Sequence, residues 1–274
     1  MTINCNGNLI DLATPKVMGI LNVTPNSFFD GGKHSNENEI LNQVEKMLSE
    51  GATFIDVGAY SSKPKAEFVS EKEELERILP VIQSILKQFP KTILSVDTFR
   101  SEVARVCIEN GVAMINDISA GSLDENMFEV IAKYKVPYIM MHMRGTAQTM
   151  QSLTNYDNIV KEMIFYFSEK VAKATSLGIT DLILDPGFGF AKTLEQNYEV
   201  LQNIELFQML ELHILVGISR KSMIYKVLNS NPNDALNGTT VLNTIALIKG
   251  AKILRVHDVK EAVDCIKIIQ NLHL

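Results

Sequence analysis

Eight short runs of apolar, largely β-branched residues, each followed by a longer stretch with apolar side chains three and four apart, leave this chain few folds to choose from. The runs lie at 17–21, 54–55, 93–96, 113–115, 138–141, 182–184, 214–216 and 253–256. Short runs without alternation are strands buried on both faces, and a helix between each consecutive pair makes the strands parallel. The helical stripes are plain in the sequence. After Asp157 they fall at Val160, Met163, Ile164, Phe167, Val171 and Ala174, with Gly178 as a stop; before Gly51 at Ile40, Leu41, Val44, Met47 and Leu48; after Asp258 at Val259, Ala262, Val263, Ile266 and Ile269. Eight βα units close most naturally into a (β/α)8 TIM barrel, an α/β fold that takes about 250 residues. The 274 residues present are therefore read as a single barrel domain over 1–274, with a doubly wound open sheet as the alternative.

Composition narrows the function. Lys+Arg 26 against Asp+Glu 32 gives a net charge of −6 with no basic stripe, which argues against a nucleic-acid partner. Cys5, Cys107 and Cys265 are far apart and form no CxxC pair, so they read as buried thiols in a reducing, cytoplasmic setting. The N-terminus lacks the basic and apolar regions of a signal peptide. No stretch reaches the ~20 apolar residues of a membrane span.

What ends each strand is more informative. In order come Asn22, Asp56, Asp97, Asn116 with Asp117, His142, Asp185, the group Ser219, Arg220 and Lys221, and Arg255 with His257. In a barrel these positions are expected to converge on the mouth where such folds place their chemistry. Asp97, Asn116 and Asp185 offer acceptors and an amide to a flat heterocycle bearing NH and NH2 donors. Lys221, Arg255 and His257 supply positive charge for a phosphorylated or diphosphate tail. No cluster forms a metal cage from protein ligands alone; a Mg2+ held mainly by substrate phosphates, with Asn22 helping, is compatible.

Six blocks then carry a resemblance: MGILNVTPNSF at 18–28, DVG at 56–58, SVDT at 95–98, INDI at 115–118, LDPGFGF at 184–190, and GISRKS at 217–222 with RVHDV at 255–259. With these blocks in order from about Val17 to about Asp264, the chain resembles the dihydropteroate synthases, pterin-binding barrel enzymes of folate biosynthesis. The resemblance implies transfer of a dihydropterin methylene group from its diphosphate ester to para-aminobenzoate, in a homodimer using Mg2+. It implies pterin contacts from Asp97, Asn116, Ile118, Met140, Asp185, Phe190, Gly217, Lys221 and Arg255. Asn22, Arg255 and His257 would hold the diphosphate, Asn22 also touching the metal, and Lys221, Arg255 and His257 would carry the catalysis. Phe28, Ser62, Pro64, Ser219 and Ser222 would border the aminobenzoate.

The chain departs from the family at 59–65, where Ala59, Tyr60, Ser61, Ser62, Lys63, Pro64 and Lys65 replace a Gly-Glu-Ser-Thr-Arg-Pro-Gly run, and at Asn26, where many relatives carry aspartate. A pterin-dependent methyltransferase and a non-catalytic pterin-binding paralogue are the alternatives. The cationic set of Lys221, Arg255 and His257 argues against both.

Overall fold

The computed structural model describes residues 2–23, 33–60 and 69–272, the side chains of 33–36 excepted. Two short antiparallel strands come first, β1 (Thr2–Cys5) and β2 (Asn8–Asp11). Eight parallel strands follow and close into a barrel: β3 (Lys16–Asn22), β4 (Phe54–Gly58), β5 (Ile93–Asp97), β6 (Met114–Asp117), β7 (Tyr138–Met141), β8 (Leu182–Asp185), β9 (His213–Val216) and β10 (Ile253–Val256). The order round the barrel is the order in the chain, with β10 paired to β3. The open-sheet alternative is thereby set aside.

Helices connect the strands: α1 (Lys33–Ser49), α2 (Glu71–Gln88), α3 (Ser101–Glu109), α4 (Met127–Tyr134), α5 (Ile159–Ser176), α6 (Leu194–Gln202), α7 (Ser222–Tyr225), α8 (Leu236–Ile248) and α9 (Val259–Gln270). Their apolar stripes face the barrel. Val160, Met163, Phe167 and Ala174 of α5 are buried, while Ile164 and Val171 pack against the same core from its margin. The N-cap of α5 is Asn158, which accepts from the Lys161 amide, one residue beyond the expected Asp157. None of the described helices is long and apolar enough to cross a membrane.

The inside of the barrel is layered. Met18, Phe54, Met114, Ile139, Ile183, Leu215 and Ile253 fill the end where the strands begin, and the β1–β2 hairpin plugs it with Ile3 and Cys5, joined by Leu12. This hairpin is absent from the eight runs that mark the barrel. Its signal was the Asn6-Gly7 pair, both residues at positive φ (51° and 86°), as a two-residue hairpin turn demands. All three cysteines are free and buried.

Candidate active site at the barrel mouth

Strand register decides which residues reach the mouth. Paired residues of neighbouring parallel strands share a face, so the inward set runs Asp56 opposite Ser95, Asp97 opposite Asn116, Asn116 opposite Ile139, Met141 opposite Asp185, and Met18 opposite Arg255. The intervening residues point out toward the helices. Three of the expected convergent positions are corrected. Asp117 lies on the outer face, where it accepts from the Ser119 amide, the Ser119 hydroxyl, the Gly121 amide and the Tyr138 hydroxyl, a closed structural network. His142 is 2% exposed and turned to Lys192, with Nζ to Nδ1 at 3.1 Å. Arg220 also leaves the mouth: at φ 55° it forks onto Asp258 with two 2.8 Å bonds.

Met140 is corrected in the same way. It pairs with Leu184 on the outer face, is 0% exposed and belongs to the core between strands and helices. Its neighbour Met141 takes the inward place, packed with Ile118, Met143, Met150 and Ala191 and flanked by Phe99 and Phe190. An unbroken apolar strand gives no phase from which to choose between adjacent methionines.

At the centre of the mouth is a charged chain. The Asp56 Oδ2 accepts from Asn116 Nδ2 at 3.0 Å and from Arg255 Nε at 2.6 Å, and Arg255 Nη2 reaches Asp97 Oδ2 at 2.7 Å. Two carboxylates thus share one guanidinium. Burial pushes the Asp97 carboxyl up to about 7, against the pull of Arg255. Asp56 is fully buried, and its Oδ1 and the Ser95 hydroxyl have no hydrogen-bond partner among the described residues. In the sequence Asp56 stands only as a strand-end residue without a role. Its signal was the DVG block itself.

Asp185 ends β8 and accepts at Oδ1 from the Gly187 amide, 2.7 Å away. Burial raises its carboxyl, with Lys221 opposing. The Lys221 ammonium donates to the Phe188 carbonyl at 2.6 Å and sits 4.8 Å from the centre of the Phe190 ring. Burial brings it down to about 8, with Asp185 pulling it back up. A Cβ at Gly217 would stand 3.9 Å from both Arg255 Cβ and Lys221 Nζ, so glycine keeps this floor low. On the next rim, Ser219 Oγ lies 3.0 Å from Nδ1 of the exposed His257 and accepts from the His257 amide at 3.1 Å. Asn22, at the exposed end of β3, and Ser222, at the start of α7, complete the described rim. Phe28, Ser62 and Pro64, like Asn26 and Lys63, lie outside the described residues.

A (β/α)8 barrel alone does not choose a chemistry. Comparison with known proteins does: the family model for pterin binding enzymes matches residues 18–257. The chain belongs to the pterin-binding enzyme family. Among members of this family, the chain is 42% identical to dihydropteroate synthase of Escherichia coli over 98% of its own length and 96% of that protein's, and equally close to that of Haemophilus influenzae, covering 98% of each. Of solved structures, a Yersinia pestis dihydropteroate synthase in a sulfonamide drug complex superposes with a TM-score of 0.92 at 40% identity, covering 100% of this chain and 99% of the other. One from Xanthomonas albilineans with 4-aminobenzoic acid gives 0.91 at 35%, covering 99% and 98%.

Proposed function

We propose that this pterin-binding enzyme is a dihydropteroate synthase, joining 6-hydroxymethyl-7,8-dihydropterin diphosphate to para-aminobenzoate with release of diphosphate, a step of folate synthesis. The observation that carries the reading is the barrel mouth itself, where Asp97, Asn116 and Asp185 face inward beside Lys221 and Arg255. It agrees with the full-length likeness to dihydropteroate synthases. The acceptors of Asp97 and Asp185 suit the N–C–N donor edge of a pterin, and the Asn116 amide suits its remaining edge. Ile118, Met141 and Phe190 supply apolar contact to the ring, and Gly217 leaves room beneath it.

Chemistry then follows from charge. The electron-rich pterin stabilises positive charge on its exocyclic methylene, so the protein has mainly to position the reactants and stabilise the departing anion. Arg255 and His257 take that anion, and Lys221 holds the ring from the side. No covalent nucleophile is required, in keeping with the burial of all three cysteines. The aminobenzoate enters last, against Ser219 and Ser222 and, from the segments outside the described residues, Phe28, Ser62 and Pro64.

The donor set fits a Mg2+ that rides on the substrate. Among the described residues no group of three or more His, Cys, Asp or Glu could hold a metal, and Asn22 offers a single amide oxygen at the rim. The ion would neutralise charge on the diphosphate. The protein is assigned to the cytoplasm and to a homodimer, the commonest oligomer, with the exposed Val241 and Ile248 of α8 offering apolar surface to a second copy.

Purified protein mixed with the pterin diphosphate, Mg2+ and para-aminobenzoate should release diphosphate and form dihydropteroate in equal amounts. Diphosphate released without any dihydropteroate would sink the assignment. If C–O cleavage precedes amine attack, oxygen-18 in the bridging position should scramble into non-bridging positions before the amine is added. Scrambling seen only with the amine present would favour concerted displacement.

A further inference from the structure

The turn that carries the pterin pocket's far wall is built from conformations that give it little rigidity of its own. Gly187, Gly189 and Ala191 all have positive φ, at 67°, 83° and 47°. Its peptide groups are instead held one by one. Gly187 N–H donates to Asp185, Gly189 N–H to Asn197 Oδ1 at 2.6 Å, and the Ala191 carbonyl accepts from the Tyr156 hydroxyl at 2.9 Å. Lys221 reaches the Phe188 carbonyl from the mouth side. From behind comes a second lysine, one outside the set of strand-end residues. Lys192 is 4% exposed, and its Nζ donates to the Gly187 carbonyl at 3.0 Å and to the Phe190 carbonyl at 3.0 Å, its third contact being His142 Nδ1 at 3.1 Å.

Three acceptors match the three N–H donors of an ammonium. Burial, with Lys192 beside it, keeps the His142 imidazole neutral, well below the ordinary histidine range. While Lys192 is the ammonium it has no lone pair, so Nδ1 accepts from it and the His142 proton sits on Nε2. Burial also brings Lys192 down to about 7, while Asp185 favours its charge and Lys221 and Arg144 oppose it.

We propose that Lys192 is a positioning residue for the pterin ring: its buried ammonium clamps the 187–190 turn from behind through the Gly187 and Phe190 carbonyls and so fixes Asp185 and Phe190 toward the ring. This rests on the pterin reading of the mouth. Lys192 touches no substrate and acts through the turn. A surface lysine could not do this, because water would compete for both carbonyls, whereas Lys192 is itself buried and its bond to the Gly187 carbonyl lies away from solvent.

The test uses Lys192→Met and Lys192→Gln, compared with the wild type. Calorimetry with 6-hydroxymethylpterin should show affinity reduced about tenfold or more in both variants, as for loss of a charge-assisted hydrogen bond. KM for para-aminobenzoate should stay within about twofold, since that subsite does not rest on the turn. Hydrogen exchange of the 185–191 segment should quicken without a matching change in the β1–β2 hairpin. Should the Met variant fail to fold, the Gln variant, which keeps a donor, carries the comparison. In the wild type, nitrogen-15 spectra at pH 6 should place the His142 proton on Nε2. Wild-type pterin affinity in either folded variant, unchanged exchange in the turn, or an Nδ1-protonated His142 would each overturn the proposal. A wild-type protein that binds no pterin would overturn the functional reading and this role together, whereas pterin binding that survives in the variants overturns this role alone.

Discussion

Asp185 shows how much one carboxylate is asked to do. It is held by the Gly187 amide on one side and balanced by Lys221 on the other, while burial works against its charge. Asp185→Asn should keep the fold and weaken pterin binding by ~1.5–3 kcal/mol, the worth of a hydrogen bond to a charged group. Calorimetry giving an unchanged affinity would remove Asp185 from the pocket. The two adjacent methionines separate packing from binding. Met140→Ala empties a fully buried place between β7 and its helices and should cost ~2–5 kcal/mol of stability, with the pterin affinity of the folded protein unaltered. Met141→Ala, on the inward face with Ile118 and Phe190, should do the reverse in kind: a smaller loss of stability and a measurably weaker pterin complex. Denaturation curves paired with calorimetry read both quantities, and a Met140 variant that lost pterin affinity would mean that the strand's facing has been misread.

Among the elements, the turn after β8 and the hairpin before β3 serve opposite ends of the barrel. At Gly187 a Cβ would run into the His142 carbonyl, and the residue's φ of 67° is itself unfavourable for alanine. Gly187→Ala should therefore displace the turn, cost the pterin site about tenfold or more in affinity and lower the melting temperature as well. The β1–β2 hairpin is remote from the mouth and contributes Ile3 and Cys5 to the barrel's closed end. Ile3→Ala should lower stability by ~2–5 kcal/mol while leaving kcat and both KM values of the folded enzyme near wild type. Turnover lost in proportion to Ile3 truncation, in protein shown to be folded, would argue that the plug and the mouth are coupled.

For the molecule as a whole, the site imposes a pH dependence on stability. Asp97 titrates near 7 in the folded protein against 3.8 ordinarily, so between those values the fold holds a proton that the unfolded chain has released, and stability falls as pH rises. Lys221, at about 8, and Lys192, at about 7, are depressed from 10.5; above those values the unfolded chain holds the extra protons, and stability recovers as pH rises. These groups together predict a trough near neutral pH in the ligand-free protein. Asp97→Asn should flatten the acid limb and Lys221→Met the alkaline limb, each by on the order of 1–3 kcal/mol relative to wild type. Melting temperatures from pH 5 to 10 would show it, and variant and wild-type curves that run parallel would refute it. By itself the sequence determined the barrel, because eight short apolar runs separated by helical stripes leave a parallel sheet little choice but to close. It also determined the inward Asp97, Asn116, Asp185 and Arg255, because polar residues at strand ends stand out against apolar runs. Only the tertiary structure decided that Met141 and not Met140 faces the barrel mouth, that Asp117 and His142 turn outward, and that Lys192 lies behind the turn after β8. A strand apolar on both faces carries no phase, and only the register of a closed barrel fixes which alternate residues point to its axis.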